Sequence, residues 1–308
     1  MNAPRLPPIL VAGALALAAP ADVVADERLV PLSRSESLRV TEEGRGPAVV
    51  LIPGLFGSAF GFRHVVSRLE REGYRVVVVE PLGVGGSSRP DDADYSLTAQ
   101  ADRIARAMEA LGAERAVVVA HSVGASMALR LSYRHPHCVA AIVSLDGGPA
   151  EAAATPGFQR AMRFAPLLRL FGGMRRVRGI VRKTLVARSA DPRWVTEDVV
   201  DGYMAASSRD LGATLAAYKG MARAREPEEL RDHLGEVRCP VRLVLGDAPH
   251  EGGPSGAEIR LLRDRLPSFA VDVIPGVGHF AFEEDPDAVV AAVDRAAASA
   301  RPRAAASR

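Results

Sequence analysis

Cysteine is scarce: the 308-residue chain holds two, Cys138 and Cys239, which excludes a cysteine-rich metal centre and a dense disulfide framework. An excess of either charge is also lacking, since 39 basic residues face 37 acidic ones. A net charge of +2 leaves no electrostatic footprint for DNA or RNA, so no nucleic-acid partner is expected. Long apolar runs are missing from the body of the chain, and the one near the amino end, Leu6 to Ala18, is too short for a bilayer-spanning helix. No stable membrane insertion of the mature chain is therefore expected. With Arg5 ahead of it and Ala19 to Ala21 behind it, this run has the layout of a secretory signal cleaved near Ala21. On that reading the protein is exported, periplasmic or secreted; otherwise it is cytoplasmic. No internal repeat is present, and the oligomeric state is left open.

What the chain does have is 48% apolar residues, enough for one large core or a core with an inserted unit. Alternation from Arg28 to Glu43 suits two short antiparallel strands. Continuous apolar runs follow at Ala48 to Ile52, Tyr74 to Val79, Ala116 to Ala120, Val139 to Leu145 and Val241 to Leu245, the pattern of strands buried on both faces. Helical patterns lie between them at Arg63 to Arg71, Ser96 to Leu111, Val123 to Arg134 and Ala257 to Arg265. Strand alternating with helix predicts a parallel α/β sheet. Between Gly148 and about Gly235 the rhythm breaks into short helical segments, at Gly157 to Leu170, Arg176 to Val186, Thr196 to Met204 and Leu211 to Ala222. The expected division is a signal or disordered arm over 1–25, a core of 26–148 and 236–300, an inserted helical cap over 149–235, and a flexible tail over 301–308.

The stretch "VVVAHSVGAS", Val117 to Ser126, reads as strand, tight turn and helix. A turn sharp enough to lift a side chain clear of the sheet needs small flanking residues, and Ala120 and Gly124 supply them. Ser122 is then a candidate nucleophile at the sheet's carboxyl edge, with the Val123 amide at a helix start facing any developing oxyanion. A serine in this place also suits a helix N-cap.

With this segment the chain resembles the α/β-hydrolase superfamily, from about Arg28 to Ser299. The resemblance implies a mostly parallel eight-stranded sheet flanked by helices, with the cap inserted. It is carried further by "LIPGLFGSAFGFR", Leu51 to Arg63, in which Gly54 remains of the family's His-Gly pair and Pro53 replaces the histidine. Leu55 is implied as the second oxyanion donor beside Val123, and Gly54, Phe56 and His121 as substrate-binding positions. "EPLGVGGSSRP", Glu80 to Pro90, resembles the loop after the next strand. "VIPGVGHFAFEEDP" places His279 after a final strand and before a helix near Pro286, where family histidines reach the serine and act as general base and then acid.

The acid is open. The family commonly supplies it in a Gly-x-x-Asp pattern after the penultimate strand, but "LVLGDAPHEGG", Leu243 to Gly253, has Pro249 there, with Asp247 next to Gly246. Some members supply it from the preceding strand, where "AAIVSLDGGPA" ends in Asp146. Asp146 and Asp247 are therefore both candidates, with Glu251 or no acid as remaining options; His250 reads as surface, with an extra polar group at the site as the alternative. The cap's "FAPLLRLFGGM", Phe164 to Met174, together with Phe56, Phe60 and Phe62, favours a small apolar ester-like substrate over a sugar or nucleotide, although these residues also suit helix packing. Arg175, Arg178 and Arg182 read as a solvated face, with attraction of anionic substrates or a membrane surface as the alternative. The family's strand order makes Cys138 and Cys239 neighbours, with two thiols or an oxidised pair as alternatives. The expected activity is a serine hydrolase cleaving an ester through an acyl-Ser122 intermediate, with no metal and no organic cofactor; aspartate-nucleophile branches are disfavoured by the serine. A slow-turnover ligand-binding protein of the same fold is the alternative from another class, and thioester or carbon–carbon hydrolysis the chemical one.

Overall fold

Valine-rich runs form the centre of the molecule because β-branched side chains suit a pleated surface packed on both sides. The computed structural model describes residues 26–153, 158–160 and 173–300. The expected signal, the tail and most of the helix expected at Gly157 to Leu170 lie outside the described residues, as does Phe164 to Gly172 of the apolar cap stretch.

The eight strands are β1 (Asp26–Pro31), β2 (Ser37–Glu43), β3 (Ala48–Ile52), β4 (Arg75–Val79), β5 (Ala116–His121), β6 (Val139–Leu145), β7 (Val241–Gly246) and β8 (Phe269–Ile274). They form one sheet in the order β1-β2-β4-β3-β5-β6-β7-β8. β1 with β2 and β2 with β4 are antiparallel, and every later pair is parallel. The two-residue period divides each central strand between two cores. Val50 and Ile52 of β3 and Val118 and Ala120 of β5 face one, while Val49, Leu51, Val117 and Val119 face the other. Each buried valine, leucine or isoleucine among them contributes about 2 kcal/mol relative to exposure.

Helices α1 (Arg63–Arg71), α2 (Leu97–Ala110) and α3 (Val123–Arg134) fall where the pattern predicts them. The first of the Ser96–Leu111 positions is a cap, its hydroxyl accepting from Ala99 N at 3.1 Å. Between β6 and β7 come α4 (Gly173–Ala187), α5 (Glu197–Met204), α6 (Leu211–Arg223) and α7 (Leu230–His233). α8 (Gly256–Arg265), α9 (Ala281–Glu284) and α10 (Pro286–Ala300) complete the fold. α2 and α3 cover one sheet face, and α1 and α10 the other. No helix among the described residues is long and apolar enough to cross a membrane. Cys138 and Cys239 are free thiols, both pushed up to about 11 by burial, so the oxidised pair is not formed although β6 and β7 are neighbours.

Candidate active site

Ser122 joins β5 to α3 at φ 53°, ψ −125°, a left-handed conformation that costs an L-residue about 1–3 kcal/mol and persists where its surroundings over-determine it. Here Ser122 N donates to Leu145 O at 3.0 Å, and Ala125 N donates to Ser122 O at 3.0 Å. Gly124 is required for the close approach beneath, because a Cβ there would stand 2.9 Å from Ile52 O. The N-cap alternative fails: Ser122 makes no side-chain cap bond. Among the described residues its hydroxyl has no hydrogen-bond partner at all.

The strained positions are paired. Apart from glycine, the described residues with positive φ are Arg115, Ser122 and Asp146. Asp146 ends β6, beside the elbow, and its N donates to Val244 O of β7 at 2.8 Å. Its buried carboxylate receives the His279 Nδ1–H on Oδ2, and His250 Nε2 donates to the same oxygen at 2.8 Å. Gly253 packs against it, since an added Cβ would meet Oδ1 at 2.8 Å. Asp247 is elsewhere. It is exposed, and its Oδ1 accepts from Gly276 N at 2.6 Å, because the chain leaving β7 turns this side chain toward the loop after β8. Glu251 is exposed too.

His250 corrects its surface reading: the side chain is 7% exposed. Its Nδ1 faces Ala248 O at 2.7 Å and its Nε2 the Asp146 carboxylate. The sequence signal was its place beside Pro249, where the resembling family keeps an acid.

With Nδ1 donating to Asp146, His279 presents Nε2 as its free base nitrogen. The loop carrying it is pinned by main-chain bonds. His279 N donates to Arg188 O at 2.8 Å, and His279 O accepts from His121 Nε2 at 3.1 Å. Burial, and then the neighbouring His279 and Arg188, hold His121 well below the ordinary imidazole range. It is thus neutral, with Nε2–H as its donor. His121, expected as a substrate-binding position, is 6% exposed: the last residue of β5 turns inward, packing on the rings of His279 and Phe282 at 4.6 and 4.8 Å. It positions the histidine loop.

The loop after β3 turns tightly, Gly57 N donating to Gly54 O at 3.0 Å. Gly54 lies against Ser122, whose Cβ would be 3.3 Å from a Cβ added there. The amides of Leu55 and Val123 have no acceptor among the described residues. Sequence reasoning missed what holds this loop. Glu80, fully buried at the end of β4, accepts from Ala59 N at 2.7 Å, Gly86 N at 2.5 Å and Arg39 Nη1 at 2.9 Å. A carboxylate ending an apolar run was the available signal. Phe56 remains 47% exposed, edge-on to Phe158 at 5.5 Å and Tyr218 at 5.0 Å; burial pushes the Tyr218 hydroxyl up to about 12, so it stays neutral. Phe60 and Phe62 depart from the expected lining. Phe60 lies under the Arg63 guanidinium at 4.3 Å, and Phe62 is buried against Phe282. Asp146, His250 and His279 bring three metal-ligand-type atoms within 4.8 Å of one another, with the ring nitrogens committed to the carboxylate.

A family model described as the alpha/beta hydrolase fold matches residues 47–286. RutD of Escherichia coli, whose name proposes a carbamate hydrolase, is 30% identical over 204 residues, 64% of this chain and 72% of its own. Among solved structures, Cfl2 of Burkholderia cenocepacia superposes with TM-score 0.71 at 25% identity, over 87% of this chain and 94% of its own. The epoxide hydrolase CorEH superposes with TM-score 0.75 over 90% of this chain and 100% of its own, and at 18% identity shares the fold alone.

Proposed function

From the premise that the chain belongs to the alpha/beta hydrolase fold family, we propose that it is a serine hydrolase cleaving a small ester or related acyl compound, with Ser122 as nucleophile, His279 as base and acid, and Asp146 as the triad carboxylate. The observation carrying this reading is the Asp146–His279 hydrogen bond at the sheet edge where Ser122 occupies its left-handed turn. Asp146 fixes the tautomer in which Nε2 is free to accept a proton. Ser122 Oγ attacks the acyl carbon as its proton passes to His279 Nε2. The resulting oxyanion takes the free amides of Leu55 and Val123, each such donor being worth about 3 kcal/mol in the transition state. Collapse breaks the carbon–oxygen bond, His279 delivers its proton to the departing alcohol, and acyl-Ser122 remains. A water deprotonated by His279 then releases the acid and restores the serine. The same steps serve a carbamate, the substrate class in RutD's name. An aspartyl-ester route is disfavoured because the elbow carries serine. Phe56, Phe158 and Tyr218 form an apolar wall beside the oxyanion loop, suited to an apolar acyl group, with the helices between β6 and β7 acting as the cap.

The test is labelling with a fluorophosphonate probe, which reads serine activation without knowledge of the substrate. Labelling of the wild type at Ser122, and its loss in Ser122→Ala together with nitrophenyl ester turnover, is expected. A folded wild type that neither labels nor turns over ester would overturn the reading and favour slow ligand binding.

A further inference from the structure

An open cleft of about 540 Å³ lies between α4 and the loop after β7, lined by Ile180, Lys183, Thr184, Arg188, His250 and Glu251 among others. Its cations differ from their neighbours on the same helix. Arg178 and Arg182 are committed to Glu197 and Asp201 of α5, whereas the Lys183 and Arg188 side chains make no hydrogen bond or ion pair among the described residues. Arg188 follows the carboxyl end of α4, where a cation is favoured, yet its guanidinium turns toward the histidine. A Cβ added at Gly252 would stand 3.3 Å from both Arg188 Nη1 and His279 Nε2. The charge of Arg188 also contributes to holding His121 neutral. An unpaired guanidinium thus converges on the face of the imidazole that hands its proton to the departing alcohol or amine. The remaining fixed charge at the cleft is Glu251, which offsets one of the two cations. The balance fits a single negative charge.

We propose that this cleft is the leaving-group subsite and that it takes a carboxylate carried on the alcohol or amine half of the substrate, bound by Arg188 with support from Lys183. The proposal rests on the acyl-serine reading for the name "leaving group", but the anion site itself does not. Guanidinium and carboxylate match in a two-pronged hydrogen-bonded geometry that a methyl ester cannot offer.

The experiment pairs 3-hydroxybenzoate with methyl 3-hydroxybenzoate as binding probes by calorimetry, and 3-acetoxybenzoate with its methyl ester as substrates. Wild type should bind the acid at least tenfold more tightly than the methyl ester, and the kcat/KM ratio of the two acetyl esters should lean the same way. Arg188→Ala should abolish both preferences, and Arg188→Lys should retain part of each. Equal binding of acid and methyl ester by wild type, or an acid preference surviving in Arg188→Ala, overturns the proposal. Tighter binding of phenyl phosphate than of 3-hydroxybenzoate overturns the single-charge assignment. The binding arm needs no turnover, so an inert enzyme that still discriminates acid from ester refutes the acyl-serine reading while sustaining the anion site.

Discussion

Asp146 and Glu283 are both withdrawn from solvent on either side of the His279 loop, with side chains 3% and 0% exposed, and their surroundings differ in kind. Asp146 stands at positive φ and gives one oxygen to two imidazoles. Glu283, on α9, binds Arg63 Nη1 of α1 at 2.6 Å and Tyr203 Oη of α5 at 2.8 Å, and its other oxygen has no hydrogen-bond partner among the described residues. Burial pushes Glu283 above the usual carboxylate range, and burial with Glu283 beside it keeps the Tyr203 hydroxyl well above its own. Glu283 therefore stitches three helices, one of them from the insertion, with partners that keep their protons. The partners of Asp146 are two imidazoles, one of which exchanges its proton on the proposed reading. Equal burial can thus serve architecture or chemistry, and the proton-carrying capacity of the partners tells which.

The sharpest way to break this contrast is Asp146→Asn, which removes the charge and favours the wrong imidazole tautomer. Turnover of a nitrophenyl ester should fall by about 10⁴ with the circular dichroism spectrum unchanged, while Glu283→Gln should stay within a few-fold of wild type. Comparable losses in the two variants would erase the distinction. Next in size, Glu283→Ala leaves Arg63 and Tyr203 without their acceptor and should cost about 3 kcal/mol in urea unfolding; an unaltered midpoint would show that the helix seam does not depend on it. His250→Ala removes the second donor to Asp146 and loosens the triad geometry, so kcat should drop about tenfold. An unchanged kcat would mean that His279 alone suffices.

The smallest effect concerns His121. Its folded pKa is depressed, so the unfolded chain binds the extra proton as pH falls through its ordinary value of 6.5. Stability is present above that value and is lost on acidification, by about 1.4 kcal/mol between pH 7.5 and 5.5 for this one group. The difference in unfolding free energy between wild type and His121→Asn should narrow by that amount over the same interval. A difference independent of pH would remove His121 from the account.

The sheet was legible because its signal is local: runs such as Ala48 to Ile52 carry strand length and two-sided burial in five letters. Ser122 and His279 were legible because a turn chemistry and a loop context surround each. The acid was half legible, since a strand ending in Asp-Gly-Gly and a strand ending in Gly-Asp read alike until the direction of the chain leaving β7 is known. Arg188 and Glu283 were not legible as site or seam residues, and His250 was legible as a site residue only as an alternative to a surface one. Each acquires its meaning from a partner brought in by the fold: Asp146 lies 104 positions from His250 in the chain, and Arg63 lies 220 from Glu283. No local periodicity encodes such a meeting.

The hydrogen bond from Asp146 N to Val244 O carries a consequence for the order in which the protein comes into being. Ser122 and Asp146 are synthesised early, but the strand that clamps Asp146 emerges about a hundred residues later and the loop with His279 later still. On the proposed reading, a nascent chain that does not yet include His279 therefore holds a serine with no base to arm it. On that reading the serine is armed only when the loop after β8 packs against Asp146.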